Sequence, residues 1–215
     1  MPGFQELRRT EELWRRFPAR ERVKGERAAL TFDDGPDPDA TPAVLDALEE
    51  AGLTATFFML GEQAIEHRAL AREVASRGHQ VALHGYAHRD HGELSAREAR
   101  DDLARGLGTL QVACGRKPEL FRPPYGRFSA DSHAACADLG LEPVYWSAWG
   151  MDWEPLPPER IADLVSRDLS PGAIVVLHDS ARYGRRPDAR PTAAAVPLIA
   201  AAAREVGVPL GALGT

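Results

Sequence analysis

The stretch AALTFDDGPDPDATP, residues 28–42, begins a pattern in which buried strands and helices alternate to the end of the chain. Its first five residues form an apolar run typical of a buried strand, and two adjacent carboxylates, Asp33 and Asp34, follow where that strand should end. In extended backbone, neighbouring side chains point to opposite faces, so the two carboxylates can serve different purposes. A helical pattern over 41–52 follows, with Pro42 in its first turn.

The alternation predicts the fold class. Strand-like runs occupy 28–32, 54–60, 80–84, 119–121, 142–147, 173–178 and 208–213. Helical patterns occupy 41–52, 61–77, 95–113, 129–139, 158–169 and 192–206. Strand and helix in alternation imply a parallel sheet with right-handed crossovers, and the number of units fits a small or incomplete β/α barrel. A doubly wound open sheet is the alternative, weakened because no GxGxxG follows the first strand.

The composition and net charge indicate which classes of partner the chain can bind. The chain has 215 residues, is 44% apolar and carries a formal net charge of −6, as expected for one globular domain. Lys24 and Lys117 are its only lysines and the arginines are scattered among acids, which argues against a nucleic-acid partner and favours a neutral or weakly charged substrate. Cys114 and Cys136 form no CxxC pair, and the sequence leaves open whether they are free thiols or a disulfide.

Residues 1–26 are predicted to be an N-terminal extension outside the main domain, 27–215. Apolar residues at near-helical spacing predict a helix packed against the domain, with a membrane- or partner-contacting surface as the alternative. These residues are Phe4, Leu7, Trp14 and Phe17. Neither a secretory signal nor a run approaching the roughly 18 apolar residues of a membrane span is present. The sequence as given therefore predicts a cytoplasmic protein, or a secreted or cell-surface one if a leader was removed; its oligomeric state is not predicted.

Reactive residue types collect just after the carboxyl ends of the predicted strands. They are Asp33 and Asp34, His84 and His88, Arg122 and Tyr125, Asp152 and Trp153, and His178 and Asp179. In a β/α barrel these strand ends converge on one face, which holds the active site. We therefore expect residues more than 140 positions apart to line one pocket.

The segment HGYAH, residues 84–88, supplies two histidines four residues apart, whose imidazoles face the same way on a turn of helical rise. Two imidazoles and one carboxylate of the Asp33–Asp34 pair would form an open catalytic zinc site, with the other carboxylate free as a base. His91 is a rival ligand. The acidic run 33–39 lacks the residue order of a calcium loop. The remaining histidines are expected at the solvated surface: His67, His79 and His133.

Five motifs resemble those of the polysaccharide deacetylases, carbohydrate esterase family four, which share the NodB homology domain. They are TFDDG (31–35), HGYAH (84–88), RPPYG (122–126), DW (152–153) and VLHD (176–179). The resemblance runs from about Ala28 to the end of the chain. It implies a distorted, TIM-like (β/α)7 barrel and a divalent metal, most commonly Zn²⁺, with Co²⁺ or Ni²⁺ as other candidates.

The resemblance also implies roles for individual residues. Asp33 is similar to the catalytic base and Arg122 to the arginine that holds it. Asp34 is similar to the metal ligand that acts beside His84 and His88.

On the opposite side, His178 is similar to the general acid and Asp152 to the acid that orients its charged partners. The Tyr125 backbone N–H is similar to the group that binds the oxyanion, Trp153 to an aromatic wall and Leu177 to the apolar floor of the acetyl pocket. The residues predicted to contact substrate are Pro124, Tyr125, Trp149, Trp153 and Leu177.

Two positions depart from the family pattern. Gly85 stands where a Ser or Thr hydroxyl usually braces the loop after the first metal histidine, and Trp149 stands at the first acidic position of DxxDW. Neither departure removes a predicted ligand or acid–base residue, so we expect activity with altered substrate preference or loop geometry.

The resemblance favours a metal-dependent hydrolase that removes N-acetyl groups from an amino-sugar polymer, oligomer or glycolipid. Two alternatives keep the same site: an O-acetyl esterase on xylan-like polysaccharide, and a hydrolase of small cyclic amides. A third is a non-catalytic, metal-bearing glycan-binding protein.

Overall fold

The strands form a single parallel sheet in the computed structural model, which describes residues 14–214. The strands are β1 Ala28–Asp33, β2 Thr56–Met59, β3 Gln80–Leu83, β4 Leu120–Phe121, β5 Glu142–Pro143, β6 Ala148–Trp149, β7 Ile174–His178 and β8 Leu210–Gly211. All six residues of β1 are buried, as expected for a strand covered on both faces.

The strand order is that of a barrel. It runs β5-β4-β3-β2-β1-β7-β6, so β1 lies between β2 and β7, while β8 pairs with the first residues of β1. The first strand pairs with both the second and the seventh, as in a (β/α)7 barrel, but β5 and β6 form no pair among the described residues, so the curled sheet stays open between them. The predicted distorted (β/α)7 barrel is therefore confirmed, and the doubly wound sheet is wrong.

Helices cover the outside of the sheet. They are α1 Thr41–Glu50, α2 Gly61–Glu66, α3 Arg68–Ser76, α4 Ala96–Cys114, α5 Ala130–Leu139, α6 Pro158–Asp168 and α7 Arg190–Glu205, with a 3₁₀ turn at Pro124–Gly126. The helix α4 is the longest of these, and it begins with a reciprocal capping box between Ser95 and Glu98. No helix within residues 14–214 combines the length and apolar composition needed to cross a bilayer.

Two predicted elements are divided. The helical pattern over 61–77 forms α2 and α3, because His67 adopts non-helical backbone with φ −112° and ψ 48°. The strand predicted over 142–147 keeps only its first two residues, as β5, and β6 begins just after the predicted range, at Ala148. Between them, Val144 forms a bridge to Arg20, and the Tyr145 N–H donates to the Arg20 carbonyl, so this segment pairs with the N-terminal extension.

The described part of the extension, residues 14–26, is not helical beyond its first residue. After a helical residue at Trp14, residues 15–26 form turns and extended backbone, so the helix prediction is wrong there; residues 1–13 lie outside the described chain. Trp14 stacks on Tyr145 at 4.5 Å between ring centroids, and its indole N–H donates to the Gly126 carbonyl over 3.1 Å. Extended pairing of Arg20 with Val144 replaces further helical turns.

Candidate active site

The carboxyl ends of the strands surround a cavity of about 290 Å³. Its lining includes Asp33, Asp34, His84, His88 and His178, together with aromatic residues from several loops. The parallel register explains part of this convergence, because Asp33 on β1 and His178 on β7 are direct Cα partners. Residues 145 positions apart in the chain are thus neighbours in the sheet, as the barrel predicted.

Three side chains converge on one point. The Nε2 atoms of His84 and His88 each lie 3.3 Å from Asp34 Oδ1, and the three potential ligand atoms are all within 4.8 Å of one another. Asp34 has a positive φ of 82°, an uncommon conformation for a residue other than glycine. Such strained backbone at a convergence of metal-ligating groups is typical of a functional site.

The surroundings of Asp34 suit a cation. Burial alone would raise the pKa of Asp34, but the His84 and His88 side chains, each 3.3 Å from its Oδ1, outweigh it and hold the pKa well below its usual range. Asp34 Oδ1 is buried, and among the described residues it lacks a hydrogen-bond partner with acceptable geometry. An ionised, buried oxygen left unsatisfied beside two imidazole nitrogens fits a site for a divalent metal.

The two histidines are oriented in different ways. The His84 ring contacts the Arg122 carbonyl through Nδ1 at 2.8 Å, which fixes the tautomer and leaves the Nε2 lone pair facing Asp34. His88 Nδ1 is buried and forms no hydrogen bond with the described part of the chain. Instead, the His88 ring stacks on Tyr183 at 4.0 Å and 10° and meets the edge of Tyr125 at 4.6 Å.

Asp33 points into a different set of contacts. The Arg122 Nη1 donates to Asp33 Oδ1 over 2.7 Å and to the Thr31 hydroxyl over 2.8 Å, and its Nη2 donates to the Tyr145 carbonyl over 3.0 Å. Arg122 is fully buried and lies 4.1 Å above the Phe58 ring. These contacts hold the Asp33 carboxylate in one orientation next to the three-residue cluster.

On the other side, His178 is paired with Asp152. Its Nδ1 lies 2.8 Å from Asp152 Oδ1, while Asp152 Oδ2 accepts from the His178 backbone N–H and from the Thr192 hydroxyl. Burial alone would lower the pKa of His178, but the carboxylates of Asp152, Asp34 and Asp33, with Asp152 contributing most, raise it to about 9. At neutral pH, His178 with this pKa is an imidazolium, and its Nε2 has no hydrogen-bond partner within residues 14–214.

Arg186 completes this pair. Its guanidinium donates to the His178 carbonyl over 2.8 Å and lies 3.4 Å from Asp152 Oδ2. Against burial, which raises the pKa of Asp152, the charges of His178 and Arg186 lower it. Asp152 thus contacts the proposed acid directly, whereas Arg122 contacts Asp33.

Asp179 supports the loop that carries Asp34. Its carboxylate accepts from the Gly35 N–H over 3.1 Å and from the Thr41 hydroxyl over 2.6 Å. Burial raises the pKa of Asp179 to about 7. It does not line the cavity, so its contacts are with the loop backbone and not with a bound molecule.

The predicted substrate contacts are only partly found at the cavity. Tyr125 and Trp153 line it, but Leu177 is wrong as its floor: Leu177 is fully buried in the core and Val176 lines the cavity instead. Side chains alternate along β7, so the inward face that carries His178 also carries the residue two positions earlier, Val176.

Two further predicted contacts also lie elsewhere. Trp149 on β6 is half-buried against the hydrophobic core, and Pro124 is buried in the 3₁₀ turn, where the preceding Pro123 reaches the cavity. Trp146 is a core residue that also lines the cavity.

Other predictions for single residues have mixed outcomes. His91 is not a metal ligand; it is fully buried and contacts Asp102. His79, expected at the surface, is buried, accepts a hydrogen bond from the Ala55 N–H over 3.2 Å, and has a pKa lowered by that burial. Both cysteines are free thiols, Cys114 half-buried and Cys136 buried.

Sequence reasoning missed several residues that support the site: Thr31, Asp102, Tyr183, Arg186 and Thr192. Tyr183 and Arg186 come shortly after a predicted strand end, which was the available signal. Thr192 and Asp102 lie on helices, where a polar side chain ordinarily indicates solvent exposure. Their burial results from how α7 and α4 pack on the strand ends.

Comparisons with known proteins agree with this arrangement. A family model described as polysaccharide deacetylase matches residues 20–144. The chitooligosaccharide deacetylase of Bradyrhizobium sp. (strain ANU 289) is 38% identical over 159 residues, which are 73% of this chain and 73% of that protein.

Solved structures extend the likeness to the fold. A peptidoglycan N-acetylglucosamine deacetylase superposes with a TM-score of 0.85 at 27% identity, covering 93% of each chain. A protein of Bacillus anthracis described as a family-four pseudoenzyme superposes with a TM-score of 0.80 at 26% identity, covering 91% of this chain and 66% of that one. Because an inactive relative shares the fold, any argument about activity depends on the residues in the cavity.

Proposed function

The chain belongs to the polysaccharide deacetylase family, and we propose that it removes N-acetyl groups from glycans containing N-acetylglucosamine, using a divalent metal ion. Its relatives are named deacetylases, which makes it a hydrolase of N-acetyl amide bonds. The observation that carries the proposal is the cluster of Asp34, His84 and His88 between an arginine-held carboxylate and a protonated histidine.

Asp34, His84 and His88 would hold the metal. Two imidazole nitrogens and one carboxylate oxygen are a donor set that suits Zn²⁺ and leaves coordination positions open. The unsatisfied Asp34 Oδ1 supports this assignment, since the buried oxygen needs a cationic partner. When bound, a zinc ion supplies an acidified water, with a pKa near 7, and polarises a carbonyl oxygen.

Asp33 is the proposed general base. It lines the cavity beside the metal ligands without being one of the cluster, and Arg122 orients its Oδ1. We propose that Asp33 accepts the proton of the water that attacks the acetyl carbon. Because Arg122 is charged and buried, it also keeps this base from turning away during the reaction.

His178 is the proposed general acid. An amine is a poor leaving group as an anion, so it must receive a proton as the C–N bond breaks. His178 Nδ1 is engaged by Asp152, which leaves the Nε2 proton available to the cavity. Its pKa of about 9 keeps it protonated at neutral pH. The charge pair therefore favours the form that can donate.

Tyr125 is proposed to bind the oxyanion through its backbone N–H. Its φ of 58° places it in left-handed backbone at the cavity wall. Non-glycine residues held in this strained conformation are concentrated at active sites, where the strained geometry serves the mechanism. Losing an oxyanion donor typically costs on the order of 100-fold or more in rate.

The substrate is proposed to be an N-acetylated amino-sugar oligomer or polymer. The relatives' names refer to chitooligosaccharide and to peptidoglycan N-acetylglucosamine, which share the N-acetylglucosamine unit. Trp153 and Tyr125 offer aromatic faces at the cavity on which a sugar ring can stack. Trp153 also meets the His178 ring edge-on at 5.7 Å, so a stacked sugar would lie next to the proposed acid.

The test is acetate release from a panel of acetylated substrates. Protein stripped with a chelator and then loaded with zinc is assayed on N-acetylglucosamine oligomers, peptidoglycan fragments, acetylxylan and a hydantoin. We expect release from the first two, abolished by the chelator and restored by zinc. Zinc-loaded protein that releases acetate from no acetylated glycan would refute the proposal.

The other arms separate the alternatives. Turnover of acetylxylan alone would identify an O-acetyl esterase, and turnover of the hydantoin alone would identify a cyclic amidase. Glycan binding without turnover under any metal would place the chain with the pseudoenzymes.

A further inference from the structure

The loop between the two metal histidines is fixed by a buried carboxylate outside the cavity. The Tyr86 N–H donates to Asp102 Oδ2 over 2.9 Å, and the Ala87 N–H donates to Asp102 Oδ1 over 3.3 Å. We propose that Asp102 is a positioning residue of the metal site, which sets the orientation of His88 through these two loop amides. The inference depends on the proposed metal site.

The lack of a side chain at position 85 leaves space for the Asp102 carboxylate beside the loop. Gly85 has a φ of +105°, and a Cβ built on it would lie 2.9 Å from Asp102 Oδ2 and 3.0 Å from the Ala87 carbonyl. A serine or threonine there would clash with the carboxylate and with the loop backbone. The glycine at position 85 and the aspartate at position 102 are therefore complementary choices for supporting one loop.

The helix that carries Asp102 can reach the loop because of Gly106, one turn later on the same face. A Cβ at Gly106 would lie 2.7 Å from Leu83 Cδ1 and 3.1 Å from the Tyr86 nitrogen. Without a side chain there, α4 packs its backbone directly against the loop. This close approach brings the Asp102 carboxylate within hydrogen-bond distance of the loop amides.

The opposite side of the loop is held by α2. The N–H groups of Gly61 and Glu62 donate to the carbonyls of Gly85 and Tyr86, each over 2.9 Å. The loop carbonyls thus accept from the first N–H groups of α2, while the loop N–H groups of Tyr86 and Ala87 donate to the Asp102 carboxylate. The loop geometry is determined from both sides, by α2 through the loop carbonyls and by Asp102 through the loop amides.

His88 depends on this support more than His84 does. His84 has its ring fixed by the Arg122 carbonyl, whereas His88 Nδ1 makes no hydrogen bond to the described residues. The position of the His88 ring therefore follows from its backbone and from the stacked Tyr183. If the Asp102 contacts are lost, the loop backbone can shift and His88 Nε2 with it.

His91 completes the arrangement. Its Nε2 lies 3.3 Å from Asp102 Oδ2, and its ring packs against Phe121 at 5.1 Å. The Asp102 side chain is only 5% exposed and the His91 side chain is fully buried. The carboxylate is therefore held at a fixed point by a third contact that is independent of the loop.

The test measures zinc affinity, which does not require substrate. Zinc dissociation constants of the native chain, Asp102→Asn and Asp102→Ala are measured by competition with a chelator, with Asp101→Asn as the matched control. Asp101 is the preceding residue on the same helix, and its side chain is 71% exposed. The apo-protein melting temperature is measured alongside, to separate loss of fold from loss of positioning.

We expect Asp102→Ala to weaken zinc binding by about 10- to 100-fold, the usual effect of removing a group that supports a metal ligand, with a smaller loss for Asp102→Asn. Asp101→Asn should bind zinc as the native chain does. A purely structural Asp102 would lower the apo melting temperature while leaving the zinc affinity of the folded protein unchanged. That result would overturn the inference.

A further variant, His91→Phe, tests the inference if the Asp102 variants do not fold. His91→Phe removes only the third contact of the carboxylate and keeps an aromatic ring against Phe121. It should weaken zinc binding by up to about 10-fold, the low end of the range for a group that supports a metal ligand, and an unchanged affinity would count equally against the inference. If the native chain binds no zinc, the proposed function fails; if it binds zinc and all variants match it, only the role of Asp102 fails.

Discussion

Replacing Asp152 with asparagine should move the alkaline limit of activity. The Asp152 carboxylate lies 2.8 Å from His178 Nδ1 and is the strongest of the carboxylates, ahead of Asp34 and Asp33, that raise the pKa of His178 from 6.5 to about 9. The substitution would keep the size of the side chain but remove its charge. Arg186 would retain the carbonyls of His178 and Ser180 as acceptors, so the change should not leave this guanidinium unpaired.

The size of the effect follows from the two pKa values. A general acid works in its protonated form, so activity is retained below the pKa of His178 and lost as the pH rises through it. With a pKa of about 9, roughly nine-tenths of His178 is protonated at pH 8; with an ordinary pKa of about 6.5, roughly 3% is. Asp152→Asn should therefore cost up to about 30-fold in kcat/KM at pH 8 and little at pH 6.

The assay is acetate release from N-acetylglucosamine oligomers between pH 5.5 and 10, at a fixed concentration of free zinc. Asp163→Asn, which removes an exposed carboxylate from α6, is the control and should retain the native profile. An Asp152→Asn enzyme with the alkaline limb of the native chain would refute this reasoning. Equal loss at every pH would show that Asp152 acts through the fold and not through the proton.

Three further predictions concern single side chains. Arg122→Ala should destabilise the fold by about 3–5 kcal/mol, because it leaves a buried carboxylate uncompensated; urea unfolding would measure this, and a loss below about 1 kcal/mol would contradict it. Tyr183→Leu should weaken zinc binding several-fold by removing the ring stacked on His88, measured by chelator competition; unchanged affinity would contradict the stacking role. Val176→Phe should abolish turnover without changing zinc affinity, because the larger ring fills the cavity floor. Leu177→Ala should mainly lower the free energy of unfolding, by about 2–5 kcal/mol. The opposite pattern, measured by kinetics and urea unfolding, would restore Leu177 as the floor.

The sequence was sufficient to predict the barrel and the convergence of the three candidate metal ligands. Periodicity located the strands, and the parallel arrangement then required their carboxyl ends to meet. Asp34, His84 and His88 are found together for that reason, although 50 residues separate the first from the second. Local pattern and global topology agree here, which is what makes such a prediction reliable.

The wrong predictions concern residues whose conformation or orientation is determined by tertiary packing. The Leu177 assignment ignored the alternation of side chains along a strand, which places Val176 on the same face as His178. The helix expected for the N-terminal extension is absent over residues 15–26 because the backbone of Arg20 pairs with Val144 instead. Periodicity within a segment cannot reveal a pairing partner more than 120 residues away.

The supporting residues were missed for a related reason. Asp102 lies in a charged stretch of α4 and has the pattern of a solvated helix face, yet the close approach allowed by Gly106 buries it against the loop. Tyr183 carries no motif and gains its place only by stacking on His88. Such contacts depend on the exact spacing of packed elements, which composition and periodicity do not determine.

The most direct test of the central claim compares Asp33→Asn with the native chain at equal bound zinc. If Asp34, His84 and His88 hold the ion while Asp33 remains free to accept the proton, the variant will bind one zinc per chain with native affinity. It will release acetate from N-acetylglucosamine oligomers at least about 100-fold more slowly, the scale of general-base catalysis. Native turnover by the zinc-loaded variant, or loss of zinc from it, would contradict the separation of the two aspartates into base and ligand.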